Sequence, residues 1–179
     1  MVIIDKIDTP QVVSFIQDQL SPFDTENIEW FKLLPLRRHV PYRGECSGPG
    51  WLRSRHIKRY RLRCSINPHL SWPYEEEFHI RRVRNLVVNG RRRRYLRELA
   101  IFENAHELLV WLAGHEVYHF LTMSKQVRGQ AGYEAKANRY GFEWLSAWRD
   151  SHNDGFFQGS DHAEDPAGRR PPSVSNAVL

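Results

Sequence analysis

Apolar and polar positions change their period along the chain, and each change marks an element. After Thr9-Pro10, the residues Val12, Phe15, Ile16 and Leu20 recur at helical spacing, and Ser21-Pro22 closes the run. A threonine cap followed by proline at the first helical position suits a helix start, so a helix is predicted over about 10–20. The apolar, aromatic stretch 28–40 predicts a strand. Residues 41–49, PYRGECSGP, carry turn formers throughout and predict a loop. In 56–67, Ile57, Tyr60, Leu62, Cys64 and Ile66 alternate with basic residues, the pattern of a half-buried strand. Residues 78–88 and 91–102 predict two more strands, joined at Asn89-Gly90, a strong hairpin signal.

From Asn104 the period becomes helical. Asn104 with Glu107 three residues on predicts a capping box, and the helix would run to about Ser124 on Leu108, Leu109, Trp111, Leu112 and Phe120. Gly129 and Gly132 mark a loop. A last helix is predicted over about 133–149, with Ala137, Tyr140, Phe142, Trp144, Leu145 and Trp148 available for burial. No proline lies between Pro73 and Pro166 to interrupt either helix. Beyond about Ser151 the chain is rich in Gly, Asp, Ser and Pro, so 1–150 reads as one domain and 151–179 as a disordered tail.

Composition changes this picture in two places. A hydrophobic fraction of 41% with six Trp fits a folded domain, and two cysteines, Cys46 and Cys64, make no disulfide framework or CxxC site. With no basic-then-apolar leader and no apolar run of about 18 residues, a soluble, cytoplasmic protein is expected and a membrane span is not. Charge is uneven: the net is +5, yet 37–97 holds 17 Lys/Arg against four Glu. That asymmetry raises an anionic partner such as nucleic acid, against the alternative that arginines simply occupy solvent-facing strand positions.

The candidate chemistry lies in Gly114-His115-Glu116-Val117-Tyr118-His119. Positions i and i+4 share a helix face, so His115 and His119 can reach one ion, and neutral imidazole suits Zn²⁺. Glu116 is placed to accept a proton from a water that the ion activates. A catalytic zinc needs a third protein ligand, and Glu134, at the start of the next helix, is the candidate. Ala135 and Ala137 would allow close helix packing, and Asn138 would orient Glu134 or a histidine. Gly114 has no helix-forming rationale, and close approach of another backbone segment would explain it. Tyr118 and Tyr133 are candidate donors to a tetrahedral intermediate. His106 should face elsewhere, His152 and His162 lie in the tail, and Cys46 and Cys64 are expected as buried strand neighbours rather than ligands.

On these residues the chain resembles the zincin metallopeptidases, in the branch whose third ligand is a glutamate. His115-Glu116-x-x-His119 matches their zinc-binding helix, and Glu134-x-x-Ala137-Asn138 is similar to the second-helix motif of ImmA/IrrE-type peptidases. Small size and basic strands also resemble the SprT-like, DNA-associated metallopeptidases. That family uses a third histidine, whereas the next histidine here is His152. The resemblance spans about 103–149. It implies hydrolysis of peptide bonds in a protein substrate. The expected architecture is α+β and zincin-like: an N-terminal helix, a small, mainly antiparallel twisted sheet, the motif helix and the ligand helix. A DNA-associated zinc protein and a non-catalytic zincin-fold interaction module are the alternatives.

Overall fold

The computed structural model describes residues 1–37, 39–49, 57–88, 91–129 and 133–153. Strand and helix alternate early and helices close the chain: β1 (Ile3–Asp5), α1 (Pro10–Leu20), β2 (Ile28–Pro35), β3 (Tyr42–Ser47), β4 (Tyr60–Ile66), β5 (Tyr74–Val88), β6 (Arg91–Phe102), α2 (Ala105–Met123) and α3 (Glu134–Asn153). The architecture is α+β with two sheets. The Asn89-Gly90 turn lies outside the described residues, as do residues 154–179 of the expected tail, whereas 151–153 belong to α3. No helix among the described residues is long and apolar enough to cross a membrane.

The predicted single, mainly antiparallel sheet is corrected. One sheet has the order β1-β2-β4-β3, and β5 and β6 form a separate two-stranded ribbon. In the larger sheet β1–β2 and β2–β4 are parallel, and only β3–β4 is antiparallel. The reason is the short strand β1, which the sequence reading passed over. With α1 between β1 and β2, the chain returns to its starting end before the second strand begins, so the two run the same way.

The start of α1 also differs from expectation. Thr9 makes no side-chain cap. Asp5 organises the turn instead, its Oδ1 accepting from the Ile7 and Asp8 backbone amides at 2.8 and 3.1 Å and its Oδ2 from that of Thr9 at 2.6 Å. The predicted apolar face of α1 is buried, with Phe15 edge-on to Trp144 and Trp148.

The second correction is β3, where the sequence predicts a loop. Tyr42, Gly44 and Cys46 alternate with Arg43, Glu45 and Ser47, and Gly44 pairs with Cys64 in register. Turn-forming residues disguised a period-two pattern. Cys46 and Cys64 are free thiols on neighbouring strands, as expected.

Helix α2 runs through the centre, with 15 of its 19 residues buried. It packs on β3 and β4 on one side and on α3 on the other. A helix covered on several sides should be apolar around its circumference, so His115 and Glu116 inside it call for a functional reason. Asn104 caps it, its Oδ1 accepting from Glu107 N at 3.1 Å. Glu107 reaches back to Glu103 N at 2.9 Å, one residue before the cap.

Glu107 has a second task. Arg149 of α3 donates to it from Nε and Nη2 at 3.0 and 2.6 Å, and to Ile101 O at 2.7 Å, tying α3 to α2 and β6. Burial pushes the Glu107 carboxyl up, but Arg149 and the Glu103 amide outweigh it and hold the group below its ordinary value. Breaking such a pair leaves a buried charge alone, so Arg149→Met is expected to cost about 3 kcal/mol at neutral pH. A lowered folded-state pKa gives stability that is present above the unfolded value and lost as pH falls through the folded one. The difference in stability between wild type and variant should therefore shrink on acidification below the ordinary carboxylate value of 4.5. Urea melts at several pH values measure it, and a pH-independent difference would contradict the assignment.

Four arginines in and beside β4 and β6 are used locally. Arg59 donates to Glu26 O and Ile28 O, Arg61 pairs with Glu29 at 2.6 Å, Arg63 lies 3.9 Å from Glu45, and Arg97 pairs with Glu77 at 2.9 Å.

Candidate metal centre

Two helices meet at the site because small residues let them. A Cβ added at Gly141 of α3 would stand 2.6 Å from Trp111 O of α2, and one at Gly114 of α2 would stand 2.8 Å from Trp144 Cγ. The expected reason for Gly114 is thus corrected in kind: an indole ring approaches it, while the close backbone approach occurs at Gly141. Ala135 and Ala137 are buried at the same contact.

This packing brings Glu134, in the first turn of α3, against the histidine face of α2. His115 Nε2 lies 3.1 Å from His119 Nε2 and 3.2 Å from Glu134 Oε2, and His119 Nε2 lies 3.6 Å from Glu134 Oε1. The three residues offer ligand atoms that all lie within 4.8 Å of one another. Ligand atoms about 2.0–2.2 Å from a tetrahedral ion stand about 3.3 Å apart, so the spacing suits a single metal ion.

The orientation of His115 is determined from behind. Asn138 Nδ2 donates to His79 O at 2.9 Å, which fixes the direction of the amide and turns Oδ1 towards His115 Nδ1, also at 2.9 Å. His115 therefore carries its proton on Nδ1 and presents the Nε2 lone pair to the ligand cluster, an arrangement typical of metal-binding histidines. Asn138→Ala should keep the fold and weaken metal affinity by about 10–100-fold. Competition with a chromogenic chelator measures this, and unchanged affinity would show that the amide does not orient the ligand.

Electrostatics agree with that chemistry. Burial, then His115, hold His119 below its ordinary value against the pull of Glu134, so its imidazole is neutral. Glu134 is lowered, chiefly by its contact with His115. Glu116 is pushed up to about 7, first by burial; His115 opposes this, and the charges of Glu134 and Glu45 add to it. Its Oε1 lies 4.0 Å from His115 Nε2, beside the cluster rather than within it. A carboxyl poised near neutrality is suited to taking and returning a proton.

The cluster opens into a cleft of about 830 Å³. Its walls come from β3, β5, α2 and α3 and include Gly44, Glu45, Glu76, Phe78, His79 and Trp111. Gly44 sits directly over Glu116: a Cβ there would stand 2.0 Å from Oε1. Neither β3 nor β5 was read as part of the site, because adjacency across a cleft leaves no spacing signature in the chain.

The remaining candidates lie elsewhere. Tyr118 lines a separate small cavity with Arg128, Lys136 and Arg139, and its hydroxyl has no hydrogen-bond partner among the described residues. Tyr133 packs under Lys136 and does not line the cleft. His106 packs edge-on to Trp148, and His152 stacks on the same indole at 3.8 Å. His162 lies outside the described residues. A scan against protein-family models found no match, and comparisons with curated proteins and with solved structures found none either.

Proposed function

We propose that the chain is a zinc-dependent peptidase of the zincin type, with His115, His119 and Glu134 holding the ion and Glu116 as general base and acid. The observation that supports this most is the convergence of two imidazoles and one carboxylate beside a separate, buried carboxyl at the head of an open cleft. Two imidazoles and a carboxylate suit zinc among the common divalent metals. Three protein ligands leave a coordination position free, the mark of a catalytic rather than a structural site.

Bound there, zinc would supply a Lewis acid and acidify a coordinated water. The chain's own residues do the rest. Glu116 accepts the proton of the attacking water as the C–O bond forms, then passes it to the leaving nitrogen as the C–N bond breaks. Asn138 keeps His115 in its coordinating tautomer throughout. In the described pairings β3 is an edge strand and β5 pairs only with β6. An extended substrate can therefore add to a strand edge beside the cleft. Of the 17 Lys/Arg in 37–97, Arg59, Arg61, Arg63 and Arg97 have local partners.

Metal analysis tests the proposal. Wild type should purify with, or take up, one zinc per chain and cleave an unfolded protein such as casein, with cleavage lost on chelation and restored by zinc. His119→Ala should lose both the metal and the cleavage. A wild-type protein that takes up no stoichiometric metal would sink the reading.

A further inference from the structure

The cleft is acidic although the chain is basic. Glu45, Glu76, Glu77, Glu116 and Glu134 line it, and no Lys or Arg among the described residues does. Glu134 and Glu116 belong to the metal centre. Glu116 is itself buried on the floor of the cleft. The other three carboxylates differ in how their charge is met. Glu77 pairs with Arg97 at 2.9 Å, and Glu45 lies 3.8 and 3.9 Å from Arg43 and Arg63. Glu76 has no cation within ion-pair distance among the described residues; it accepts instead from the neutral Tyr74 hydroxyl at 2.5 Å.

That arrangement orients a carboxylate without neutralising it. The Tyr42 hydroxyl lies beside the same group, and both phenols are pushed above their ordinary range, by burial first and then by Glu76, through its charge on Tyr42 and its hydrogen bond with Tyr74. The half-buried Tyr42 stands edge-on to the buried Trp111 at 5.6 Å. Apolar walls strengthen an ion pair and exclude water. A partly buried carboxylate held by hydroxyls and left without a counter-charge is stabilised when a ligand brings one.

We infer that Glu76 anchors a subsite for a cationic group of the substrate peptide, an ammonium or guanidinium, beside the metal centre. The inference rests on the peptidase reading for its ligand class, and its test is separable from that reading. The source of the cation is either a Lys or Arg side chain or a free α-amino terminus.

The probe is a series of fluorescent ten-residue peptides, identical except for Lys, Arg, norleucine or Glu at one central position. Each is made with a free and with an acetylated N-terminus. Binding is read by anisotropy on zinc-loaded Glu116→Gln protein, so that no turnover is needed, and kcat/KM is read on wild type. One charge-assisted contact should favour the cationic peptides about tenfold over norleucine, and Glu peptides should bind worst. Preference for a central Lys or Arg in the acetylated series places the cation on the side chain; tighter binding of free than of acetylated peptides, whatever the central residue, places it on the α-ammonium. Either outcome supports the subsite. Glu76→Gln should bring the ratio towards one, and Tyr74→Phe, which removes only the orienting hydroxyl, should reduce it part-way. Binding that ignores both the central charge and N-terminal acetylation, or selectivity that survives Glu76→Gln, overturns the inference. Selective binding with no cleavage by wild type would instead refute the peptidase reading and leave the subsite standing.

Discussion

Glu116→Gln is expected to keep stoichiometric zinc and lose hydrolysis by about 10²–10⁴-fold, the range carried by a general acid–base group. The two halves of that expectation come from different geometry. The three ligand atoms cluster without Glu116, whose Oε1 stands 4.0 Å from His115 Nε2. Glutamine keeps the volume of the side chain in a position only 4 % exposed, so packing around α2 is preserved. What it removes is the ability to hold a proton between water and leaving group. Full activity in a zinc-loaded Glu116→Gln protein would refute the assigned role. Loss of zinc together with activity would show that Glu116 is a ligand rather than a base.

Gly44→Ala should give the next largest effect, through a strand that carries no catalytic group. An added methyl would stand 2.0 Å from Glu116 Oε1, 2.7 Å from its Cδ and 2.9 Å from Leu112 Cδ1. Strand β3 cannot retreat freely, because its pairing with β4 holds Gly44 opposite Cys64. The carboxylate must therefore move, and displacement of a catalytic group by about 1 Å costs on the order of 10²-fold in rate. Overpacking should also lower stability by about 1–3 kcal/mol. Zinc affinity should hold, since the atoms that the methyl would meet belong to Glu116 and Leu112, not to the ligands. A double-mutant cycle separates the effects: in a Glu116→Gln background, Gly44→Ala should cost little further activity. Equal losses in both backgrounds would mean that Gly44 acts on the cleft as a whole and not on Glu116.

These two residues show where local reading ends. Glu116 was legible because one helix turn separates His115 from His119, and a helix converts that spacing into a shared face. Gly44 was hidden inside PYRGECSGP, where proline, glycine and serine signal a turn. Its importance lies in what stands across the cleft, 72 residues along the chain, and no local pattern encodes that. Tyr118 failed in the opposite sense. Neighbouring His119 in sequence suggested a place at the site, but adjacent helical residues point about 100° apart, and its hydroxyl lines another cavity.

The sequence by itself determined the elements whose signals are local: α1 and its buried face, the alternating strand β4, both late helices, and three metal-ligand candidates on two of them. Helical period and capping chemistry act within a few residues, so they survive without tertiary context. Only the tertiary structure decided what depends on partners distant in sequence. Parallel pairing of β1 with β2 arises from the return path through α1. The tautomer of His115 is set by Asn138, and Asn138 by a carbonyl 59 residues away on β5. The character of the cleft is decided in the same way. Among the described residues, a basic chain has an acidic cleft lining because β3 and β5, far apart in sequence, bring glutamates to one candidate metal site.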